Sequence, residues 1–423
     1  MQKKLVGIAV VAAIAGAAYV GGCWYAGSLY DSNITAELAQ INQQKGVKAE
    51  WLPGAHGLTR RDGVLQVTLQ PEFFNQDPAA KPVELFFNVA QGLSPVSLKG
   101  EAQLDLTKGS IAPLLQQLQL KQIPHQLSWS YNVVTKGMTS DLQVDAWKLD
   151  SPEAKVDFAK LNIHSEGTFD SNANVTFSWE GVSASNGEQE QFYVAPAKGH
   201  TRLQKEGNAW FSPQSAFELA GFKFIAPDNS VTIDKLVSSG GISEAGADAE
   251  RLELMSKLQV AKVQLQSAAF PLEIENLALD LKLSGVDKGS YLTLVEQGSQ
   301  QKVDEAKAMA AAEQLLKKGL SLSLDNLSLS VNKAPLQAKG GLQLAANDKL
   351  QVNNIPFVIS QLKGQLDLNA GKELVAMIPN GPQMLGPMVS AGFVNQATDG
   401  KLSVQFKLAD GKTTANGQPL PLL

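Results

Sequence analysis

The sequence predicts a mainly β protein with a few helices, a β-rich α+β fold in which one N-terminal transmembrane helix precedes an elongated body of long antiparallel amphipathic sheet. Three observations lead to this class. The chain opens with an uncharged apolar run, later segments alternate apolar and polar residues, and turn signals separate those segments. The 423 residues are enough for two domains or for one elongated repetitive body.

Residues 1–27 are predicted to form a signal-anchor transmembrane helix. No charge occurs from Leu5 to Gly27, and at about 1.5 Å per helical residue this run can cross the roughly 30 Å of hydrocarbon in a bilayer. Lys3 and Lys4 precede it and no basic residue follows until Lys45, so the N-terminus stays in the cytoplasm and the body is exported. The side chains expected to lie in the membrane are Leu5, Val6, Ile8, Val10, Ile14, Tyr19, Trp24 and Tyr25.

The single cysteine, Cys23, leaves the processing of this anchor open. Val20-Gly21-Gly22-Cys23 resembles the lipobox at which bacterial lipoprotein signals are cleaved, and Cys23 would then be lipidated. The alternative is an uncleaved anchor, because the apolar run continues through Trp24 and Tyr25, an aromatic pair typical of the membrane interface. Both alternatives export the body, in which no cysteine remains to form a disulfide.

Small residues recur every four positions within the anchor, at Ala9, Ala13, Ala17 and Gly21. This spacing lets two helices approach closely, so it predicts a homodimer formed through the anchor. The alternative is that alanine and glycine are simply frequent in transmembrane helices.

Residues 28–50 are predicted to form an amphipathic stalk. Ile34, Leu38 and Ile41 share one helical face, Ser32 or Asn33 can cap the start, and the helix is expected to end near Gly46. The alternative is a helix that lies on the body rather than apart from it.

Residues 51–240 and 241–423 are predicted to form two β-rich halves. From Val64 onward apolar and polar residues alternate, as they do in half-buried strands of antiparallel sheet. The clearest series are Leu65-Val67-Leu69, Leu142-Val144, Val175-Phe177-Trp179, Leu277-Leu279-Leu281-Leu283 and Leu402-Val404-Phe406-Leu408. The turn signals between such segments include Asp170-Ser-Asn, Ser185-Asn-Gly, Gly285-Val-Asp-Lys-Gly and Ala409-Asp-Gly.

One strand segment changes phase in its middle. Its apolar residues fall on even positions up to Leu324 and on odd positions from Leu327. Because a shift of one residue turns a side chain to the other face of a sheet, we expect a β-bulge or a tight turn at Asp325-Asn326.

A few segments carry helical patterns. Residues 303–318 are rich in Ala, Glu, Gln and Lys with helical apolar spacing, and a shorter helix is expected around Leu114. No charge occurs from Leu374 to Thr398, but prolines interrupt this stretch, which favours helical turns or a lid over a second span.

Something must cover the leucine-rich faces of the predicted strands. A second sheet or the few helices is the usual answer. The alternative is a long sheet whose apolar face stays open as a groove for acyl chains, because the helical segments look too few to cover every strand.

No catalytic, metal-binding or cofactor-binding motif occurs in the chain. His56, His125, His164 and His200 are isolated from one another, and His164 falls on the polar side of a strand. The formal net charge of −5 and the absence of a basic stripe argue against nucleic acid as a partner. We therefore expect a protein that is not an enzyme and has no cofactor.

Four tryptophans lie in strand-like segments, at Trp129, Trp147, Trp179 and Trp210. They could stack on the sugar rings of an envelope glycan, but core packing is the commoner role of such residues.

Four segments carry a family resemblance: Gly-Gly-Cys-Trp-Tyr-Ala-Gly at 21–27, Arg-Arg-Asp-Gly-Val at 60–64, Gly319 to Leu329, and Asn-Gly-Gln-Pro-Leu-Pro-Leu at 416–422. In this order they resemble motifs of the YdgA-like family of proteobacterial proteins, an uncharacterised family grouped as a domain of unknown function. Asp62 is an extra residue in the second motif, and Cys23 stands where alanine is expected in the first. The resemblance implies a single-pass anchor in the bacterial inner membrane and a periplasmic body, and it brings no established catalytic residue.

Three functions remain open after this reasoning. The first is a non-enzymatic protein of the cell envelope that binds or guides a lipid-like ligand in an apolar groove. The second is a structural or assembly module that dimerises and binds a periplasmic protein through exposed strand edges. The third is an envelope hydrolase that uses a pair of carboxylates.

Overall fold

The computed structural model describes residues 38–39, 41–56, 60–74, 77, 79–93, 97–117, 123–132, 135–150, 155–168, 171–186, 189–207, 209–246, 248–267, 271–299 and 303–420. Most of these residues form antiparallel strands, several of them long, and few form helices, which confirms this part of the predicted class. The predicted anchor lies outside the described residues. Within them, no helix combines the length and the apolar character needed to cross a membrane.

The chain divides into two compact units. Unit 1 comprises the described residues of Met1–Glu190, Pro196–Asn208 and Gly298–Val303. Unit 2 comprises those of Gln191–Ala195, Ala209–Gln297 and Asp304–Leu423.

The first thirteen strands belong to unit 1 except for most of β12, which belongs to unit 2. They are β1 (Val47–His56), β2 (Arg60–Leu69), β3 (Val83–Leu93), β4 (Ser97–Leu104), β5 (His125–Asn132), β6 (Gly137–Val144), β7 (Trp147–Asp150), β8 (Lys155–Phe158), β9 (Leu161–Thr168), β10 (Asn172–Trp179), β11 (Val182–Asn186), β12 (Gln189–Val194) and β13 (Ala197–Glu206). Antiparallel pairing runs in the order β1-β2-β3-β4-β5-β6-β9-β10-β13, while β7, β8 and β11 pair separately.

The core of unit 1 lies against one face of this sheet. It contains buried side chains of β1 to β5, among them Leu65, Val67 and Trp129. Residues 38–39 and 41 are helical, and Ile41 is buried in this core with Leu38 packed beside it. The described end of the predicted stalk therefore packs on the sheet, and β1 begins directly after it at Val47.

Unit 2 is a meander of unusually long strands. After most of β12 it contains β14 (Ala209–Ala226), β15 (Asn229–Ala245), β16 (Asp248–Ser267), β17 (Leu272–Asp287), β18 (Leu320–Val331), β19 (Ala334–Leu344), β20 (Leu362–Ala370), β21 (Asn395–Gln396), β22 (Leu402–Ala409), β23 (Lys412–Ala415) and β24 (Gln418–Leu420). Pairing follows the order β12-β14-β15-β16-β17-β18-β19-β20-β22-β23-β24, with β21 beside the start of β22. Strand β16 alone has 20 residues, whereas strands in globular proteins usually have about 3–10.

The described helices are short. They are α1 (Ile111–Gln117), α2 (Lys288–Ser299), α3 (Glu305–Lys318), α4 (Ile355–Gln361) and α5 (Gly381–Ser390), with 3-10 helices at Pro71–Phe74 and Lys372–Met377. Helix α3 matches the helix predicted at 303–318, and α1 matches the one expected around Leu114. The stretch from Leu374 to Thr398 contains helical turns and α5, as its prolines indicated.

Two local expectations need correction. Gly285-Val-Asp-Lys-Gly is not a turn between strands but leads from β17 into α2, because Asp287 caps that helix by accepting the N–H and the hydroxyl of Ser290 at 3.0 and 2.7 Å. The alternation that predicts strands begins only at Val64, whereas β1 begins at Val47 and contains Pro53 and Gly54. The predicted turn at Ala409-Asp-Gly is present, with Asp410 and Gly411 at positive φ.

Candidate functional site: an open leucine face

Three rows of apolar residues cross six neighbouring strands of unit 2, from β16 to β22. The first row is Leu258, Leu279, Leu327, Ala338, Leu368 and Val404; the second is Leu281, Leu324, Gly340, Leu366 and Phe406, with polar Ser256 beside Leu281 on β16; the third is Leu254, Leu283, Leu322, Leu342, Gly364 and Leu408. We call these three rows the leucine face. At about 4.8 Å between strands it is about 24 Å wide.

A β-bulge keeps one strand of this face in phase. Leu281 pairs with Leu324 and Asp280 pairs with Asn326, so Asp325 is the extra residue of the bulge in β18. The leucines before and after it therefore point to the same side of the sheet although their numbers differ in parity. The phase shift expected at Asp325-Asn326 is thus present as a bulge.

The leucine face is open rather than sealed. None of the leucines in its rows is fully buried, and Leu322 and Leu342, which pair across β18 and β19, are 40% and 42% exposed. Small Ala338 is the buried member of the first row. In a closed sandwich the residues of both inner faces interdigitate and lose nearly all contact with water. Here Leu322 and Leu342 keep that contact.

Beyond the third row, where helices α2 and α3 adjoin β17, the apolar side chains of the sheet are buried. Leu252, Val286 and Leu344, which lie beyond the third row, are 3%, 2% and 3% exposed. Helix α2 follows β17 directly, and α3 contacts β17. These buried side chains lie beyond the third row, so the three rows of the leucine face remain accessible to a ligand.

Arg251 fixes the end of helix α3 to the sheet. Its Nη1 donates to the carbonyl of Gly285 at 2.5 Å, and its Nη2 donates to the carbonyl of Lys318 at 2.9 Å. The last carbonyls of a helix have no partner within the helix. The guanidinium therefore satisfies a helix terminus and holds α3 at the covered end.

The opposite face of the same strands carries paired charges. Lys282 Nζ lies 3.0 Å from Glu253 Oε1, and Lys257 Nζ lies 3.7 Å from Asp280 Oδ2. Further along the same strands, beyond Asn276 at positive φ, Lys262 Nζ lies 2.9 Å from Glu273 Oε2 and 3.1 Å from Glu275 Oε1. Hydrogen bonds from Gln264 and then Lys262 lower the pKa of Glu273, while bonds to Glu273 and Glu275 raise the pKa of Lys262. The face opposite the leucines thus carries the ion pairs Lys282–Glu253 and Lys257–Asp280.

The chemistry available on the leucine face is binding without reaction. Apart from Ser256, its members are leucine, valine, phenylalanine, alanine and glycine, none of which titrates or acts as a nucleophile. Among the described residues, no group of three His, Cys, Asp or Glu side chains is placed to hold a metal ion. Apolar contact is worth about 0.8 kcal/mol for each CH₂ removed from water, so an alkyl chain is the ligand that such a surface attracts.

The predicted membrane-anchor residues all lie outside the described part of the chain. They are Leu5, Val6, Ile8, Val10, Ile14, Tyr19, Trp24 and Tyr25, together with Cys23, the residue considered for lipidation. The structure therefore leaves these expectations as predictions.

Histidines and tryptophans that the sequence offered as candidate functional residues contact other residues of the protein. His164 Nδ1 lies 2.6 Å from Asp141 Oδ1 on the polar face of unit 1, and His125 Nε2 accepts the N–H of Leu104 at 2.7 Å. Trp129 is buried in the core, and Trp147 stacks on Phe158 with ring centres 5.4 Å apart.

Trp179 also lies beside Phe158, with ring centres 5.5 Å apart, while Trp210 is 38% exposed. The first three tryptophans therefore pack against their own protein rather than present a free ring, as the commoner role predicts.

Sequence reasoning identified the leucine strands but not their assembly into one face. The alternation in β17 and β22 is visible in the sequence, while the register that aligns Leu279 with Leu327 and Leu368 with Val404 depends on long-range pairing. The repeated Leu-x-Leu pattern was the available signal for this site.

Comparisons with other proteins place the chain in a family. A search of curated proteins and a search of solved structures found no significant match. A family profile described as a bacterial protein of unknown function (DUF945) matches residues 1–423. Because that match covers the full sequence, the chain belongs to the DUF945 family of bacterial proteins of unknown function.

Proposed function

We propose that this chain is a non-enzymatic protein of the bacterial cell envelope whose leucine face binds or guides the acyl chains of lipids. The observation that carries the proposal is the exposure of Leu322 and Leu342 in the third row of a broad apolar surface. Exposed apolar patches of this kind mark binding sites in soluble domains. The rows contain no titratable side chain, which supports binding rather than hydrolysis.

We also propose the location of the protein. The uncharged run at Leu5 to Gly27 and the resemblance to motifs of the YdgA-like family support a single-pass anchor in the inner membrane, an N-terminus in the cytoplasm and a body in the periplasm. Alkaline extraction of membranes tests this: the full chain should stay in the membrane pellet, with and without Cys23→Ala. Incorporation of labelled palmitate by the unaltered chain, lost in Cys23→Ala, would instead indicate a lipoprotein.

Photocrosslinking in living cells tests the ligand. A benzophenone amino acid at Leu324 samples the leucine face, and the same group at Ser323 samples the opposite face of the same strand as a matched control. We expect phospholipid adducts, detected by mass spectrometry, at position 324 and not at position 323. Equal adducts at both positions, or none at either, would contradict lipid binding.

The same experiment separates the second candidate function. A structural module would yield a specific protein adduct at Leu324 in place of lipid.

Self-association through Ala9, Ala13, Ala17 and Gly21 predicts a homodimer that full-length Gly21→Leu should weaken, because a large side chain keeps two helices apart. Chemical crosslinking in membranes measures the fraction of homodimer for each variant.

A further inference from the structure

Unit 1 has a cavity of about 590 Å³ on the polar face of its sheet. One row of side chains lines it across five neighbouring strands: Lys99, Ser130, Thr139, Glu166 and Asn174. The register places these residues directly opposite one another on β4, β5, β6, β9 and β10. At about 4.8 Å between strands, the backbones at Lys99 and Glu166 are about 14 Å apart.

A second row lies two residues further along the same strands, at about 7 Å from the first. It consists of Ser97, Asn132, Gly137, Thr168 and Asn172, and all five residues line the cavity. Gly137 occupies the central strand of this row and has no side chain, so it leaves a gap between Asn132 and Thr168. This gap accounts for a depression in an otherwise regular polar surface.

The cavity is not a packing defect of the core. The residues between the two rows, Leu98, Tyr131 and Met138, alternate to the other face and pack in or against the core of unit 1. Tyr131 is only 2% exposed. A well-packed core therefore supports the floor of the cavity from behind.

The lining has the chemistry of a site for a polyhydroxylated molecule. Hydroxyl and amide side chains of the two rows both donate and accept hydrogen bonds, as sugar hydroxyls do. The Ser130 and Thr139 hydroxyls lie 2.7 Å apart, and this bond orients them at the centre of the first row. An alkyl chain could form no hydrogen bond with these groups.

The two charges of the first row differ in their surroundings. Glu166 Oε2 lies 3.9 Å from His164 Nε2 on the same strand. Exposed Lys99 forms no ion pair with any residue that the structure describes. Its ammonium group is therefore available to a carboxylate of the ligand.

We propose that this cavity binds a saccharide of about two rings that carries a carboxylate close to Lys99. The volume lies within the range of about 300–1,000 Å³ that is typical of small-molecule sites. The proposal concerns unit 1 alone, does not rest on lipid binding by the leucine face, and can fail or succeed independently of it.

Calorimetric titration of the full chain in detergent micelles tests the site with two probes of equal size. One is a chondroitin disaccharide, which carries a uronic acid, and the other is neutral N,N′-diacetylchitobiose. We expect the acidic disaccharide to bind about fivefold more tightly than the neutral one. Inorganic phosphate serves as a third probe. Phosphate binding with no saccharide binding would reassign the cavity to simple anions and overturn the proposal.

Two variants test whether Gly137 and Lys99 take part in binding the disaccharides. Gly137→Gln should weaken both disaccharides at least about tenfold, because its side chain fills the gap. Gly137 does not have a positive φ, and the nearest atom to an added Cβ is the Thr135 hydroxyl at 3.3 Å, so the variant should fold. Lys99→Gln should remove the preference for the acidic probe and leave the affinity for the neutral one unchanged.

Lys48→Gln, an exposed lysine on β1, is the matched control and should change neither affinity. Circular dichroism melting confirms that each variant is folded. Undiminished binding by folded Gly137→Gln, or no binding of either disaccharide by the unaltered chain, would refute the site.

Discussion

The indole of Trp129 shows how one residue ties the core of unit 1 together. Its Nε1 donates to Gln91 Oε1 at 3.0 Å, and Gln91 is 0% exposed. The ring also occupies the space above Gly100, where an added Cβ would lie 2.2 Å from ring atoms. A glycine is therefore required opposite this tryptophan.

Trp129→Phe removes that donor and leaves the amide oxygen of Gln91 buried without one. We expect the free energy of unfolding to fall by about 1–3 kcal/mol from the unsatisfied oxygen, with a further loss from the smaller ring. Urea unfolding of the full chain measures it. Trp210→Phe, at a position that is 38% exposed, is the control and should cost less than about 1 kcal/mol. Equal losses in both variants would contradict this role of the hydrogen bond.

Asp105 is the residue for which the structure predicts a pH dependence. Hydrogen bonds from Thr107 and Lys108 lower its pKa to about 2. A lowered pKa means that this carboxylate stabilises the fold above its ordinary pKa of 3.8, and that the contribution is lost as pH falls toward about 2. Asp105→Asn should remove this part of the acid sensitivity.

Carboxyl NMR titration checks the pKa directly. Thr107→Val removes the side-chain bond, 2.6 Å long, that makes the largest contribution, and should move the pKa of Asp105 up toward its ordinary value. An unchanged pKa in this variant would show that the hydroxyl is not the cause.

Among the elements of unit 2, strand β18 depends on a single extra residue. The bulge at Asp325 brings Leu322 and Leu324 to the same face as Leu327 and Leu329. Deletion of Asp325 should turn the leucines on one side of the bulge toward the charged face, because side chains in a strand alternate with a period of two. We expect a large loss of stability or failure to fold.

Asp325→Gly retains the number of residues and is the matched control. It should keep the register and cost about 1 kcal/mol or less, because Asp325 is exposed and glycine mainly adds flexibility. Thermal melting followed by circular dichroism compares the two. A deletion variant as stable as the substitution would show that the strand can slip without cost.

The same element shows how far the sequence could predict the fold. Alternation of leucines in β17, β18 and β22 indicates strands because the pattern is local, and a change of parity locates the bulge. Helix α2 was not predicted, since Gly289 and Gly298 weaken its pattern and aspartate is favoured both in turns and at helix starts.

The candidate site was predictable only in part for a related physical reason. Leu322 and Leu342 could be assigned to apolar strand faces from their neighbours, but their exposure depends on which elements cover the sheet. The polar cavity of unit 1 depends on register: Gly137 falls between Asn132 and Thr168 only when β5, β6 and β9 are aligned. The register between strands that are distant in the sequence cannot be predicted from any single segment.

At the scale of the whole molecule, the two units present opposite chemistries to a ligand. Unit 1 offers a cavity lined by hydroxyls and amides, and unit 2 offers a face whose side chains are apolar except for Ser256. An alkyl chain forms no hydrogen bond with the hydroxyls and amides of unit 1, while a saccharide would bury little apolar area on the leucine face. The two proposals can therefore be tested separately in the same full-length protein.

The decisive test of the leucine face uses its two most exposed leucines. Leu322 and Leu342 already contact water at 40% and 42% exposure, so Leu322→Glu with Leu342→Glu should lower the free energy of unfolding by only about 1–2 kcal/mol. The same charges placed in a groove for acyl chains must be desolvated by the ligand, which is costly. We therefore expect lipid that copurifies with the full chain, quantified by mass spectrometry, to fall about tenfold or more. Gln343→Glu, on the opposite face of β19, should leave the lipid content unchanged, and a double variant that is folded and carries as much lipid as the original would exclude the leucine face as the binding site.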